Sequence, residues 1–83
     1  SGKMLDYIEM EDGFSIIKMR PPRDIQGFTM AESKVRERFG VTIIGVKAPG
    51  QPFEYATEET KIGPEDVIIV SGDSPLLEEF ANR

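Results

Sequence analysis

The sequence predicts an α+β fold in two layers: a mostly antiparallel sheet of four to five strands with two helices on one face. Three features point there. Runs rich in β-formers, FSIIKMR at 14–20, VTIIGVK at 41–47 and VIIVS at 67–71, are bounded by glycine and proline. Two segments, 29–39 and 74–81, place helix-capping residues ahead of apolar positions at helical spacing. The links between later strands are brief Pro/Gly turns that send the chain back on itself.

Taken in order, MLDYIEM at 4–10 alternates in part, and Glu11-Asp12-Gly13 would turn it into a hairpin with 14–20. Residues 1–13 are therefore a first strand or the remnant of a linker, and Ser1-Gly2 reads as the scar of a cleaved tag. Pro21-Pro22 cannot continue a ladder and stops the second run. Thr29 and Glu32 form a capping box, and Ala31, Val35 and Phe39 fall four apart, so a single helix is expected over 30–39 with Gly40 as its left-handed end. Ala48-Pro49-Gly50-Gln51 suits a type II turn leading into a short edge strand at 52–56. A tight turn at Gly63-Pro64-Glu65-Asp66 precedes 67–71, with Asp66 accepting amide hydrogen bonds in a structural role. Ser74 is placed to cap the last helix, with Pro75 at its first position and Leu76, Leu77, Phe80 and Ala81 on one side.

Composition narrows the chemistry. Eighty-three residues leave room for one core, and 39% apolar with 30% charged residues is the balance of a folded chain. With no cysteine and no histidine, disulfides, thiolate zinc sites, cysteine nucleophiles and the commonest general base are all excluded. Serines and threonines lack an activating base, the acidic pairs Glu58-Glu59, Glu65-Asp66 and Glu78-Glu79 lie in turns or on a helix surface, and no phosphate-cradling glycine motif is present. An enzyme is not expected. No apolar run is long enough to span a bilayer. The net charge is −5, yet residues 18–38 carry six bases against three acids. Those bases are either solvated charges or an anion-attracting patch; a pI near 4.6 argues against nucleic acid as the partner.

Strand patterning speaks to partners. In VTIIGVK and VIIVS both faces are apolar, so both faces of the sheet should be covered. Two short helices can cover only one, which leaves a homodimer formed through the other side or, alternatively, a half-closed barrel.

The segments FSIIKMR (14–20), GFTMAE (27–32), RFGVTIIGVK (38–47) and IGPEDVIIVSG (62–72) together resemble the TrkA-C domain, the C-terminal half of regulators of potassium conductance (RCK proteins). The likeness lies in the order and spacing of the segments and assigns 14–83 to that domain. Glu65 departs from the glycine usual before the turn aspartate, which favours a type I turn.

The resemblance implies a non-enzymatic regulatory domain that dimerises, follows a Rossmann-like half absent here, and serves a membrane potassium transporter subunit from the cytoplasmic face. Some members bind cyclic di-AMP in the cleft between two such domains; no other cofactor is implied for this piece. Carried onto this sequence, ligand contacts would come from Arg38, Thr42, Ile43, Ile44, Gly45 and Val46, and dimer contacts from Val41, Ile43, Ile44 and Val46. A β-grasp-like adaptor that binds protein through an open sheet edge is the alternative reading.

Overall fold

The computed structural model describes residues 4–83, including five strands: β1 (Met4–Glu9), β2 (Phe14–Met19), β3 (Thr42–Lys47), β4 (Glu54–Tyr55) and β5 (Val67–Asp73). They form one sheet in the order β1-β2-β5-β3-β4, and every neighbouring pair is antiparallel. The sheet stays open, with β1 and β4 as its edges, so the half-closed barrel is not what forms. The helical segments are α1 (Met30–Ser33), α2 (Val35–Phe39) and α3 (Ser74–Ala81). The expectation about Ser1-Gly2 lies outside the described residues.

The core occupies one face. β2 points Ser15, Ile17 and Met19 inward while Phe14 and Lys18 are exposed; β5 points Ile68, Val70 and Gly72 inward. Leu77 and Phe80 of α3, Val35 of α2, and Ile25, Val41 and Ile62 from the connections complete this layer, all at most 2% exposed. A bulge in β3 skips Ile44 between Ile43 and Gly45. It resets the alternation, so Ile43 and Val46 both reach the core while Ile44 stays 37% exposed. The opposite face is left to Ile8, Phe14, Ile16, Val67 and Ile69, each exposed or half-buried. A single chain therefore covers only one side of its sheet.

Several turns form as their chemistry requires. The capping box is complete: the Glu32 amide donates to Thr29 Oγ1 at 3.2 Å and the Thr29 amide to Glu32 Oε1 at 2.9 Å. Gly40 ends α2 in the left-handed region at φ 72°. Asp66, 7% exposed, accepts the Gly63 amide through Oδ2 at 2.7 Å, and Glu65 keeps a negative φ, so the turn is not type II.

Other elements depart from expectation. The single helix over 30–39 is broken at Lys34, which adopts φ 50°, ψ 40°. Carbonyls freed at the break find local donors: Ser33 Oγ donates to the Met30 carbonyl at 2.8 Å, and Arg38 Nη1 to the Ser33 carbonyl at 3.3 Å. The break also turns Ala31 outward, so Ser33 and Val35 fill the positions a continuous stripe would have given it. At the other helix, Asp73 precedes Ser74 as the non-helical cap and Pro75 is the second residue of α3. The Ser74 hydroxyl is instead 2.6 Å from Ser15 Oγ, which donates to the Tyr7 hydroxyl at 3.0 Å. The edge strand expected at 52–56 narrows to Glu54–Tyr55, because proline at 52 gives the ladder no donor.

The break at Lys34 gives a stability test with a definite sign. In a continuous helix Lys34→Gly costs about 0.5 kcal/mol or more, whereas at a left-handed residue glycine removes a strain of about 1 kcal/mol. Urea unfolding is expected to show Lys34→Gly neutral to stabilising. Thr29→Ala should lose about 1 kcal/mol, seen in thermal unfolding as a Tm drop of about 4–8 °C.

Candidate functional site

The candidate site follows from the break in the helix and the shortness of β4. It is a groove of about 450 Å³ between α1–α2 and the chain leaving β4, along the first half of β3. Val35, Val41 and Ile43, all nearly fully buried, form its floor. Its rim carries Lys34, Arg36, Glu37, Thr42, Thr57 and Glu58. Main-chain bonds hold the rim in place: the Ala31 amide donates to the Glu58 carbonyl at 3.0 Å and the Met30 amide to the Thr60 carbonyl at 2.8 Å.

The residues singled out from the sequence separate into three places. Thr42 and Ile43 line the groove. Ile44, raised by the bulge, lies on the outside of the sheet, while Val46 belongs to the core. Gly45 has a packing role, since a Cβ there would lie 3.2 Å from the Glu54 carbonyl oxygen of β4. Of the four residues expected at a dimer face, Val41, Ile43 and Val46 are at most 7% exposed, so only Ile44 presents appreciable side-chain surface.

Arg38 is not brought to the groove. It lines a separate shallow depression with Phe39, Leu76 and Arg83. There its Nη2 pairs with Asp24 Oδ2 at 3.0 Å, and its guanidinium carbon stands 4.6 Å from the centroid of the Phe39 ring. Arg83 meets the same aspartate oxygen and approaches the same ring at 4.4 Å. Arg38 thus ties α2 to the β2–α1 connection. The cations at the groove are Lys34 and Arg36, missed because a continuous helix would have spread them away from Thr42. The only sequence signal was the basic middle segment as a whole.

With this geometry in view, comparison with known proteins identifies the class. The chain belongs to the TrkA-C domain family, whose model matches residues 14–83. It is 25% identical over 80 residues to Ktr system potassium uptake protein A of Bacillus subtilis (strain 168), and 24% identical over 83 residues to Ktr system potassium uptake protein C of the same organism. It covers 96% and 100% of itself in these matches but only 36% and 38% of those proteins.

Among solved structures, it resembles the GsuK RCK domain (TM-score 0.75, 23% identity, 98% of this chain and 18% of that one). It also resembles the KtrA RCK C domain in complex with cyclic diadenosine monophosphate (TM-score 0.70, 22% identity, 86% of this chain and 84% of that one). These likenesses establish the RCK C-domain fold and set aside the β-grasp alternative. No helix among the described residues is long and apolar enough to cross a membrane.

The Asp24 cluster predicts a pH dependence. The hydrogen bond from Arg83, then the charges of Arg83 and Arg38, hold the Asp24 carboxyl below its ordinary value of 3.8. A depressed carboxyl contributes stability above its unfolded pKa and loses it as pH falls through the folded one. The difference in urea midpoint between wild type and Asp24→Asn should be constant from pH 7 to about pH 5 and shrink progressively as pH falls below that. A difference that persists undiminished at pH 2 would show that the carboxylate charge is not what matters.

Proposed function

We propose that this domain is a non-enzymatic regulatory module of a potassium uptake system, a homodimer that senses a small anionic effector on behalf of a membrane transporter subunit. The observation that carries the reading is membership of the TrkA-C family together with relatives that are potassium uptake proteins. Its setting is the cytoplasmic face of the membrane, downstream of a Rossmann-like half in a longer protein.

Cyclic di-AMP is the effector the reading favours, supported by its presence on the KtrA domain of the same fold. Here the groove offers Thr42 as a hydrogen-bonding side chain, Ile43 at its floor as an apolar contact, and Lys34 and Arg36 as phosphate partners. This moves the anion-binding role from Arg38, already engaged with Asp24, to two cations at the groove itself.

Effector sensing has physical content only if the ligand binds one arrangement of the dimer better than another. A cleft shared by two copies provides that asymmetry, because its shape depends on how the copies are set.

Titrating the purified domain with cyclic di-AMP in a calorimeter, with mass followed by light scattering, tests the reading. Micromolar binding at one nucleotide per two chains is expected. The double variant Lys34→Ala/Arg36→Ala should lose at least tenfold in affinity, since a hydrogen bond to a charged group contributes about 1.5–3 kcal/mol. Arg38→Ala should stay within about twofold. Loss of binding in Arg38→Ala alone would return the anion site to Arg38, and a dimer that ignores the nucleotide would remove cyclic di-AMP from the proposal.

A further inference from the structure

The two ends of β3 carry different cavities. Thr42, at its start, lines the groove described above; Lys47, at its end, lines a second concavity of about 470 Å³ with Arg20, Ala48, Pro49, Glu65 and Val67. That volume suits a small-molecule ligand. The proposed function makes no use of it.

Strand register explains how two cations meet there. Met19 pairs with Ile68 and Lys47 with Val67, so Arg20, the residue after β2, falls in the row of Val67. Met19, Ile68 and Val46 are buried in the core, which turns their neighbours Arg20, Val67 and Lys47 to the opposite face. Arg20 and Lys47 thus flank Val67 from the two adjoining strands, their backbones about 10 Å apart by strand spacing. Side chains of that length are long enough to close on one group held above Val67.

Both cations lack a counter-charge. Glu65 lines the same cavity, yet Arg20 Nη1 donates to its main-chain carbonyl at 2.9 Å, and neither Arg20 nor Lys47 forms an ion pair among the described residues. The walls, moreover, are fixed. Arg20 is followed by Pro21 and Pro22, both fully buried. The Gln51 amide closes the next wall by donating to the Ala48 carbonyl at 3.0 Å, and Asp66 ties down the turn that contains Glu65 by accepting the Gly63 amide at 2.7 Å. Three closed turns and a guanidinium held by the main chain leave little ordering for a ligand to impose.

We infer that this cavity is a second anion site, built for a phosphate group that carries a small apolar body. The phosphate lies over Val67, between the remaining N–H groups of Arg20 and the ammonium of Lys47, and Ala48, Pro49 and Val67 form the apolar wall. Phosphate suits this arrangement better than carboxylate, because it offers oxygens to cations on opposite sides, whereas the two oxygens of a carboxylate share one edge. Glu65 opposes the ligand: its carboxylate weakens the field of the two cations and sets an upper limit on affinity. The site stands apart from the groove and needs no second copy of the chain.

Two-dimensional amide NMR of the 83-residue chain, titrated at low salt with inorganic phosphate and with phenyl phosphate, tests the assignment, with circular dichroism confirming that each variant is folded. The amides of Lys47, Ala48 and Val67 should shift and saturate, phenyl phosphate doing so at about threefold lower concentration or less. Arg20→Gln/Lys47→Gln should weaken both probes about tenfold or more. Glu65→Gln should tighten both about twofold, and Lys34→Ala/Arg36→Ala should leave these shifts unchanged. Shifts that never saturate, that survive Arg20→Gln/Lys47→Gln, or that disappear with Lys34 and Arg36 instead overturn the site. Equal saturation by the two probes overturns the apolar wall as part of it.

Discussion

Eighty-three residues supply helical cover for one face of a five-stranded sheet and no more, and most of the structure follows from how that cover is arranged. β5 lies at the centre, between β2 and β3, with Ile68 and Val70 fully buried. α3 begins at Ser74, immediately after β5 ends at Asp73, so the chain folds back over its own central strand without a connecting loop. Leu77 and Phe80 are thereby delivered onto the inward faces of β2 and β5, and Phe39 packs its ring 5.1 Å from that of Phe80 to bring α2 into the same layer.

Polar groups inside this layer are matched rather than avoided. Ser15 is fully buried on β2, but its hydroxyl joins Tyr7 on β1 to Ser74 at the start of α3. One small network thus fixes an edge strand, an inner strand and a helix in register. Removing one member strands the others, which costs more than the average hydrogen bond is worth. Asp66 does the same for the turn into β5: Gly63 has no Cβ, and one placed there would lie 3.1 Å from the carboxylate it serves.

What could be read from the sequence was what neighbouring residues decide among themselves. The capping box at Thr29 and Glu32, the stop at Pro21-Pro22, the left-handed Gly40 and the structural Asp66 all depend on local hydrogen bonds or steric limits, and all form. The break at Lys34 was illegible because lysine has no special liking for φ 50°. It is held there by Ser33 and Arg38 closing the freed carbonyls, and by the main-chain bonds from Met30 and Ala31 to Thr60 and Glu58. Those last partners lie some thirty positions away in the sequence. The bulge at Ile44 was illegible for a related reason, since VTIIGVK is apolar in both phases and pairing with β5 decides which residue is skipped. These two irregularities sent Arg38 away from the groove and brought Lys34 and Arg36 to it.

The same irregularities bear on how a signal could leave the domain. Ile43 and Val46 are locked into the core, so β3 cannot slide or twist without repacking against Ile68, Val70 and Val35. On the proposed reading, an effector that touches Thr42 and Ile43 therefore meets a rigid strand, and it has little internal motion to exploit. On that same reading, the softer coordinate is the placement of one copy against the other. A ligand that prefers one such placement shifts the dimer by as much as it discriminates between the two and no further. Rigidity of the single domain is then what makes the change outside it directional: binding energy not absorbed by the core is expressed between the copies.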